Sequence, residues 1–221
     1  MNRSTRIIHR LPAVKTLFLC LVLAACAGPK YVPEITVSSS GPIIDATAEF
    51  HDLYPTFDLL SGKVTFGIDT PDAEKTEPGV LTDQIGTEII KAMAAAGVFM
   101  RVTRFDPHPD VILSGRIVAL NEHVRPQFWT KVPVPAFATV AQMLQFKTHV
   151  TSGEAHLIIY VMKPNGTLIG TYTGKSVFKE KFNPTNDVPP GTRLNRALSE
   201  AMKQIQEQMV HDAQLRIIAS R

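Results

Sequence analysis

Asn165-Gly166 sits between two runs of strand-like sequence, and no other feature constrains the fold of this chain as tightly. Before it, Ala155, Leu157, Ile159 and Val161 recur at every second position of residues 153–162 and share one face. After it, residues 168–178 form the return run. Asn-Gly between two such runs is the strongest short-range signal of an antiparallel hairpin. A two-residue turn there sets Gly170 opposite Val161 and Tyr172 opposite Ile159.

The periodicity elsewhere supplies the remaining elements. Val64, Phe66 and Ile68 alternate, which predicts a short strand over 63–69. Leu81, Ile85, Ile89, Ala92, Met93 and Ala96 recur at helical spacing, predicting a helix over 80–96 with Gly97 as its stop. Strands follow over 98–105 and 111–120, separated by the turn Asp106-Pro107-His108-Pro109-Asp110. After a proline-rich loop at 183–191, Thr192 is placed to cap a last helix, which carries the stripe Leu194, Leu198, Ala201, Met202, Ile205 and Met209 and runs to about Arg216. The expected fold is α+β: a mixed or antiparallel sheet of about five strands with two amphipathic helices packed on one face.

The amino terminus reads as an export signal. Arg3, Arg6, Arg10 and Lys15 precede the apolar run 17–23, and no acidic residue occurs before Glu34. The run is far shorter than the roughly 20 apolar residues of a membrane-spanning helix. Leu23-Ala24-Ala25-Cys26 ends it and resembles the lipobox of bacterial lipoproteins, which implies cleavage before Cys26 and acylation of its thiol. Residues 1–25 are then a signal peptide, 26–60 an acylated cysteine and flexible tether rich in Pro, Ser and Gly, and 61–215 the folded domain. Losing four cations takes the formal charge from +3 to −1, so the basicity belongs to the signal and does not point to nucleic acid. With Cys20 removed and Cys26 acylated no thiol is left for a disulfide, a nucleophile or a cysteine metal site. Ala27 stands where inner-membrane lipoproteins usually carry Asp. The resemblance thus implies the periplasmic face of the outer membrane, or the cell membrane if the source has only one.

The segments ending in Ala95-Ala96-Gly97-Val98-Phe99, the run Asp110-Val111-Ile112-Leu113-Ser114-Gly115-Arg116-Ile117 and the closing Ala197-Leu198-Ser199-Glu200-Ala201 resemble envelope lipoproteins. Their domain is similar to the amino-terminal domain of TolB and the periplasmic domain of the curli secretion lipoprotein. The resemblance covers about residues 60–212 and is one of pattern. It implies a fold and an accessory role in transport, secretion or cell-wall machinery, with a protein partner or homo-oligomer.

Residues 125–150 form an insertion that the fold leaves unexplained. Phe128, Trp129, Val132, Val134, Phe137, Val140, Met143, Leu144 and Phe146 crowd into it, while Pro126, Pro133 and Pro135 bar a central strand. Each large apolar side chain left in water forgoes about 1.5–3 kcal/mol, so a cover is expected. Three covers are open: the protein's own sheet, a partner or second subunit, or the bilayer interface, where Trp beside Arg125 and Lys131 fits. Phe128, Trp129, Val132, Val134, Phe137, Val140, Leu144 and Phe146 are accordingly the candidate contact residues.

Signals of catalysis are weak. The histidines are scattered, and His108-Pro109-Asp110 reads as a turn before it reads as ligands. Gly174-Lys175-Ser176 lacks the upstream glycine of a phosphate loop, and no Gly-x-Ser-x-Gly elbow is present. Glu154 with Glu180, or Asp69 with Asp72, are the only carboxylate pairs to consider for glycan hydrolysis. The expected role is non-enzymatic, without cofactor, metal or nucleic acid. A hydrolase or glycan-binding module acting on peptidoglycan is the alternative, and a ring or pore subunit a third reading.

Overall fold

The structure, a computed structural model, describes residues 31–39, 44–55, 67–69, 78–127, 140, 144, 146–183, 188 and 191–219. Along these residues run β1 (Ile44–Pro55), β2 (Gly67–Asp69), α1 (Pro78–Ala96), β3 (Phe99–Thr103), β4 (Val111–Pro126), β5 (His149–Met162), β6 (Leu168–Phe182), α2 (Thr192–His211) and α3 (Ala213–Ala219). The α+β class holds. One mixed sheet has the order β3-β1-β4-β5-β6, and β2 pairs with β4 further along the β1 edge. Strand β1 is parallel to both neighbours, whereas β4, β5 and β6 are antiparallel.

The core lies between one sheet face and the helices. Leu81, Ile85, Ile89 and Met93 of α1 and Leu194, Leu198, Met202, Ile205 and Met209 of α2 are buried against Phe50, Leu113, Ile117, Leu157 and Ile159. Gly97 ends α1 with φ 68°, a left-handed conformation that suits glycine.

The expected tether is corrected by residues 31–55. Tyr31 and Ile35 are buried, and the Tyr31 hydroxyl donates to Asn195 Oδ1 at 2.7 Å. The Thr36 N–H donates to Ser199 Oγ at 2.9 Å, so 31–39 runs along α2 from its first turn onward. Strand β1, which the tether would have left in solvent, is the inner strand of the parallel half. Burying Ile44, Ala46, Ala48 and Phe50 on one face and satisfying both backbone edges outweighs the ordering cost suggested by the flanking Pro and Ser.

Strands β3 and β4 flank β1 at different heights. β3 lies along Ile44–Glu49, and β4 starts at Ala48 on the other side. The linking turn is held where it passes β1: the Thr47 N–H donates to Asp110 Oδ2 at 2.7 Å, and the Asp110 N–H donates to the Thr47 carbonyl at 3.0 Å. Asp110 is therefore a structural clamp.

The hairpin register is as expected, with Ile159 opposite Tyr172 and Val161 opposite Gly170. Its turn is longer than two residues. The Lys163 N–H donates to the Thr167 carbonyl, Gly166 adopts φ 85°, and a register shift after Val161 absorbs the extra residue.

Three boundaries also move. β4 continues to Pro126 and β5 begins at His149, so the insertion is the connection between two long paired strands. Of the strand at 63–69, 67–69 is present as β2 and the rest lies outside the described residues. The last helix is capped by Gly191, not by a Thr192 side chain, and stops at His211. Asp212 breaks it and starts α3 by accepting the N–H groups of Gln214 and Leu215, while the Tyr172 hydroxyl donates to its other oxygen at 2.7 Å.

Candidate functional site

At the end of the sheet where the insertion leaves, a polar cluster is assembled around Glu122, which is fully buried. Its side chain points toward the helices because β4 alternates, and there it meets the start of α2. Thr151 Oγ1 donates to Glu122 Oε1 at 2.8 Å and the Gly191 N–H to Oε2 at 3.0 Å. A carboxylate at a helix amino terminus satisfies an otherwise orphaned N–H and faces the positive end of the helix dipole. Tyr31 belongs to the same cluster. Burial, and then the charge of Glu122, push its hydroxyl well above the ordinary tyrosine range, so it stays a neutral donor to Asn195. Residues 31–34 are thereby fixed to this end of the sheet.

A second group closes the outer strand. The buried Arg193 donates to Glu180 Oε2 at 2.8 Å and stacks its guanidinium 4.5 Å above the Phe182 ring. His149 lies 5.7 Å from the same ring, and burial lowers its pKa. The base of the insertion is clamped across the two strands: the Gln127 N–H donates to the Thr148 carbonyl at 2.8 Å, and Gln127 Nε2 to the Lys147 carbonyl at 2.6 Å.

On the opposite, open face of the sheet, this end carries a groove of about 500 Å³. Arg125, Gln127, Val150, Ser152, Lys179 and Lys181 line it, and among the described residues no acidic one does. The strand registers explain the grouping. Val150 lies between Arg125 and Lys181, and Ser152 between His123 and Lys179, so two adjacent rows bring three permanent cations to one face. Among the described residues, Arg125, Lys147, Lys179 and Lys181 are exposed and none has an acidic partner within ion-pair distance. Such a site favours anions.

No family model matches the sequence, and no curated protein matches it. Among solved structures, the chain is similar to the crystal structure of protein XCC0632 from Xanthomonas campestris, of the DUF330 family. The TM-score is 0.49 at 12% identity, over 82% of this chain and 92% of that one. It is also similar to an uncharacterized protein, at a TM-score of 0.39 and 10% identity, over 80% of this chain and 97% of that one.

Of the residues singled out in the sequence, Cys26, Phe128, Trp129, Val132, Val134 and Phe137 lie outside the described residues. Val140, Leu144 and Phe146 are described and are 49%, 63% and 55% exposed, so these three do not fold back onto the sheet. The carboxylate pair Glu154 and Glu180 is not brought together. Glu154 faces the open side, 3.0 Å from Lys175, while Glu180 faces α2. Asp72, the partner considered for Asp69, lies outside the described residues. Gly174 serves packing: a Cβ there would stand 1.8 Å from the Ala201 carbonyl oxygen, so glycine lets α2 lie directly on β6. Among the described residues, no three His, Cys, Asp or Glu side chains gather as a metal site, and no helix is long and apolar enough to cross a membrane.

The sequence reading missed Glu122, Lys179, Lys181 and Arg193. Lys179 and Lys181 had a legible signal, because with Lys175 and Val177 they continue a period of two beyond Phe178. Glu122 had none, since the helix terminus it meets is far away in sequence.

Proposed function

We propose that the protein is a non-enzymatic, lipid-anchored accessory protein of the bacterial cell envelope. Acylated at Cys26 and held on the periplasmic side of the outer membrane, it docks to or assembles with transport, secretion or cell-wall machinery. The observation that carries this reading is the exposure of Val140, Leu144 and Phe146 on a segment clamped at its base by Gln127. Apolar side chains held out from a folded sheet support a contact surface better than a lid. The export signal and Leu23-Ala24-Ala25-Cys26 support the anchor.

Two measurements test the proposal. Mass spectrometry of the protein from native membranes is expected to show acyl chains on Cys26, and Cys26→Ala is expected to release it. Purification from the same membranes, with and without residues 128–146, is expected to lose partners or self-association in the deleted form. An intact chain recovered alone and monomeric, with a deletion form that behaves identically, refutes the docking role.

A further inference from the structure

The structure corrects the length of the leash, and that correction fixes an orientation. The described residues start at Tyr31, which is buried beside the first turn of α2 and lies within the electrostatic reach of Glu122. Four residues lie between Cys26 and Tyr31, and the five steps of an extended chain cover at most about 18 Å. From Tyr31 the segment 31–39 runs away from this end along α2, reaching Ser199 at Thr36. The chain therefore enters the domain at the end that also carries the groove of Arg125, Lys179 and Lys181, Lys147, and the exposed Leu144 and Phe146. The other end, with the tip of the β5–β6 hairpin at Asn165-Gly166, lies a full strand length away.

We propose that this end of the domain seats on the bilayer that holds the anchor, with the Arg125–Lys179–Lys181 groove taking the phosphate groups of anionic glycerophospholipids. The inference rests on the lipid anchor proposed above. Charge complementarity selects the occupant. Among the described residues the groove offers three cations and no acid, and Lys147 stands beside the apolar Phe146, so charge and hydrocarbon meet at one boundary as at a membrane interface. A short leash adds effective concentration, so a weak intrinsic preference for the surface is sufficient once Cys26 is acylated.

The test uses the unacylated mature chain, carrying Cys26→Ser, with vesicles of phosphatidylcholine with and without phosphatidylglycerol. Cosedimentation is expected only with the anionic vesicles and is expected to weaken at high salt. Each lysine near such a surface contributes about fivefold in affinity, so Lys179→Gln with Lys181→Gln is expected to lower binding about 30-fold. Circular dichroism checks that this double variant is folded, and Arg125→Gln gives an independent variant on another strand. In the acylated protein, fluorophores on Ser152→Cys and Asn165→Cys report orientation through a lipid-borne quencher, with quenching expected at 152 and not at 165. Equal binding to both vesicle types, binding unaffected by the lysine substitutions, or equal quenching at both positions overturns the seating while leaving acylation of Cys26 intact. A crosslink from position 152 to a protein instead of lipid also overturns it and transfers the groove to a protein partner. Cys26 recovered unmodified from native membranes overturns the anchor, and the seating with it, whatever the vesicles show.

Discussion

Gly174→Ala adds one methyl group where β6 and α2 touch backbone to backbone. The new Cβ would stand 1.8 Å from the Ala201 carbonyl oxygen and 2.6 Å from its carbonyl carbon. Neither atom can rotate aside as a side chain would. To restore a tolerable contact, α2 must lift or β6 must bow by about 1.2 Å. A gap approaching 1 Å forfeits about a quarter to a half of the dispersion attraction across it. That loss falls on Leu198, Ala201, Met202 and Ile205, all fully buried. The same displacement stretches the bonds by which α2 covers the edge of β6, from Gln208 Nε2 to the Thr173 carbonyl at 2.7 Å and from the Lys175 N–H to Gln204 Oε1 at 3.0 Å. We expect a loss of about 2–4 kcal/mol, at the upper end of overpacking costs. Urea unfolding of residues 26–221 carrying Cys26→Ser, followed by far-ultraviolet circular dichroism, measures it as a lowered midpoint at unchanged slope. Gly79→Ala is the control: nothing lies within 4 Å of its added methyl, and the change in helix propensity alone is worth up to about 1 kcal/mol in the stabilising direction. A Gly174→Ala midpoint within about 0.5 kcal/mol of the parent refutes the close approach.

Tyr31→Ala, at a position that a loose tether would leave indifferent, is expected to cost about 3 kcal/mol in the same unfolding assay, because it empties a buried aromatic site and removes the bond to Asn195. Glu122→Ala is expected to cost about 2–4 kcal/mol by leaving the Thr151 hydroxyl and the Gly191 N–H without their acceptor, and Glu122→Gln less, since one oxygen is kept; equal losses for the two variants count against the cluster. His149 is held below the usual imidazole range by burial, and His156 by burial and then by Lys175, with Glu154 opposing. For a base whose folded pKa is lowered, the unfolded chain takes up the proton first. Stability is therefore full above about pH 6.5 and declines as the pH falls through the lower folded values. Urea midpoints between mildly alkaline and mildly acidic pH are expected to show that decline, and a variant with both His149→Asn and His156→Asn is expected to flatten it.

What was legible in the sequence follows from how local each signal is. The β5–β6 hairpin was readable because two neighbouring runs alternate across a turn, and even its cross-strand pairs could be assigned. The exact loop was not, because the register shift after Val161 leaves the alternation on either side unchanged. α1 was readable from spacing and Gly97. β1 was not, although Ile44, Ala46, Ala48 and Phe50 do alternate. Two of the four are alanines, and proline and serine nearby outweighed them. Its partners Phe99–Thr103 and Val111–Ile117 are distant and parallel, so no hairpin turn announces the pairing. The sequence expectation ended β4 at Leu120, the close of a nearly continuous apolar run. The strand continues because the inward carboxylate meets the amino terminus of α2, a partner that exists only after folding. The same nonlocality hid Arg193 and its contacts with Glu180 and Phe182.

The seat of residues 31–39 on α2 constrains the order in which the chain can fold. These residues emerge among the first, yet the helix face that receives Tyr31 and Ile35 is contributed by residues near the opposite terminus. The inner strand waits as well, since its parallel neighbours arrive only after α1 has followed. Closure is thus deferred until most of the polypeptide is available, a high-contact-order assembly that nucleates slowly. A chain cut short before α2 leaves residues 31–39 without a seat and one face of the sheet uncovered.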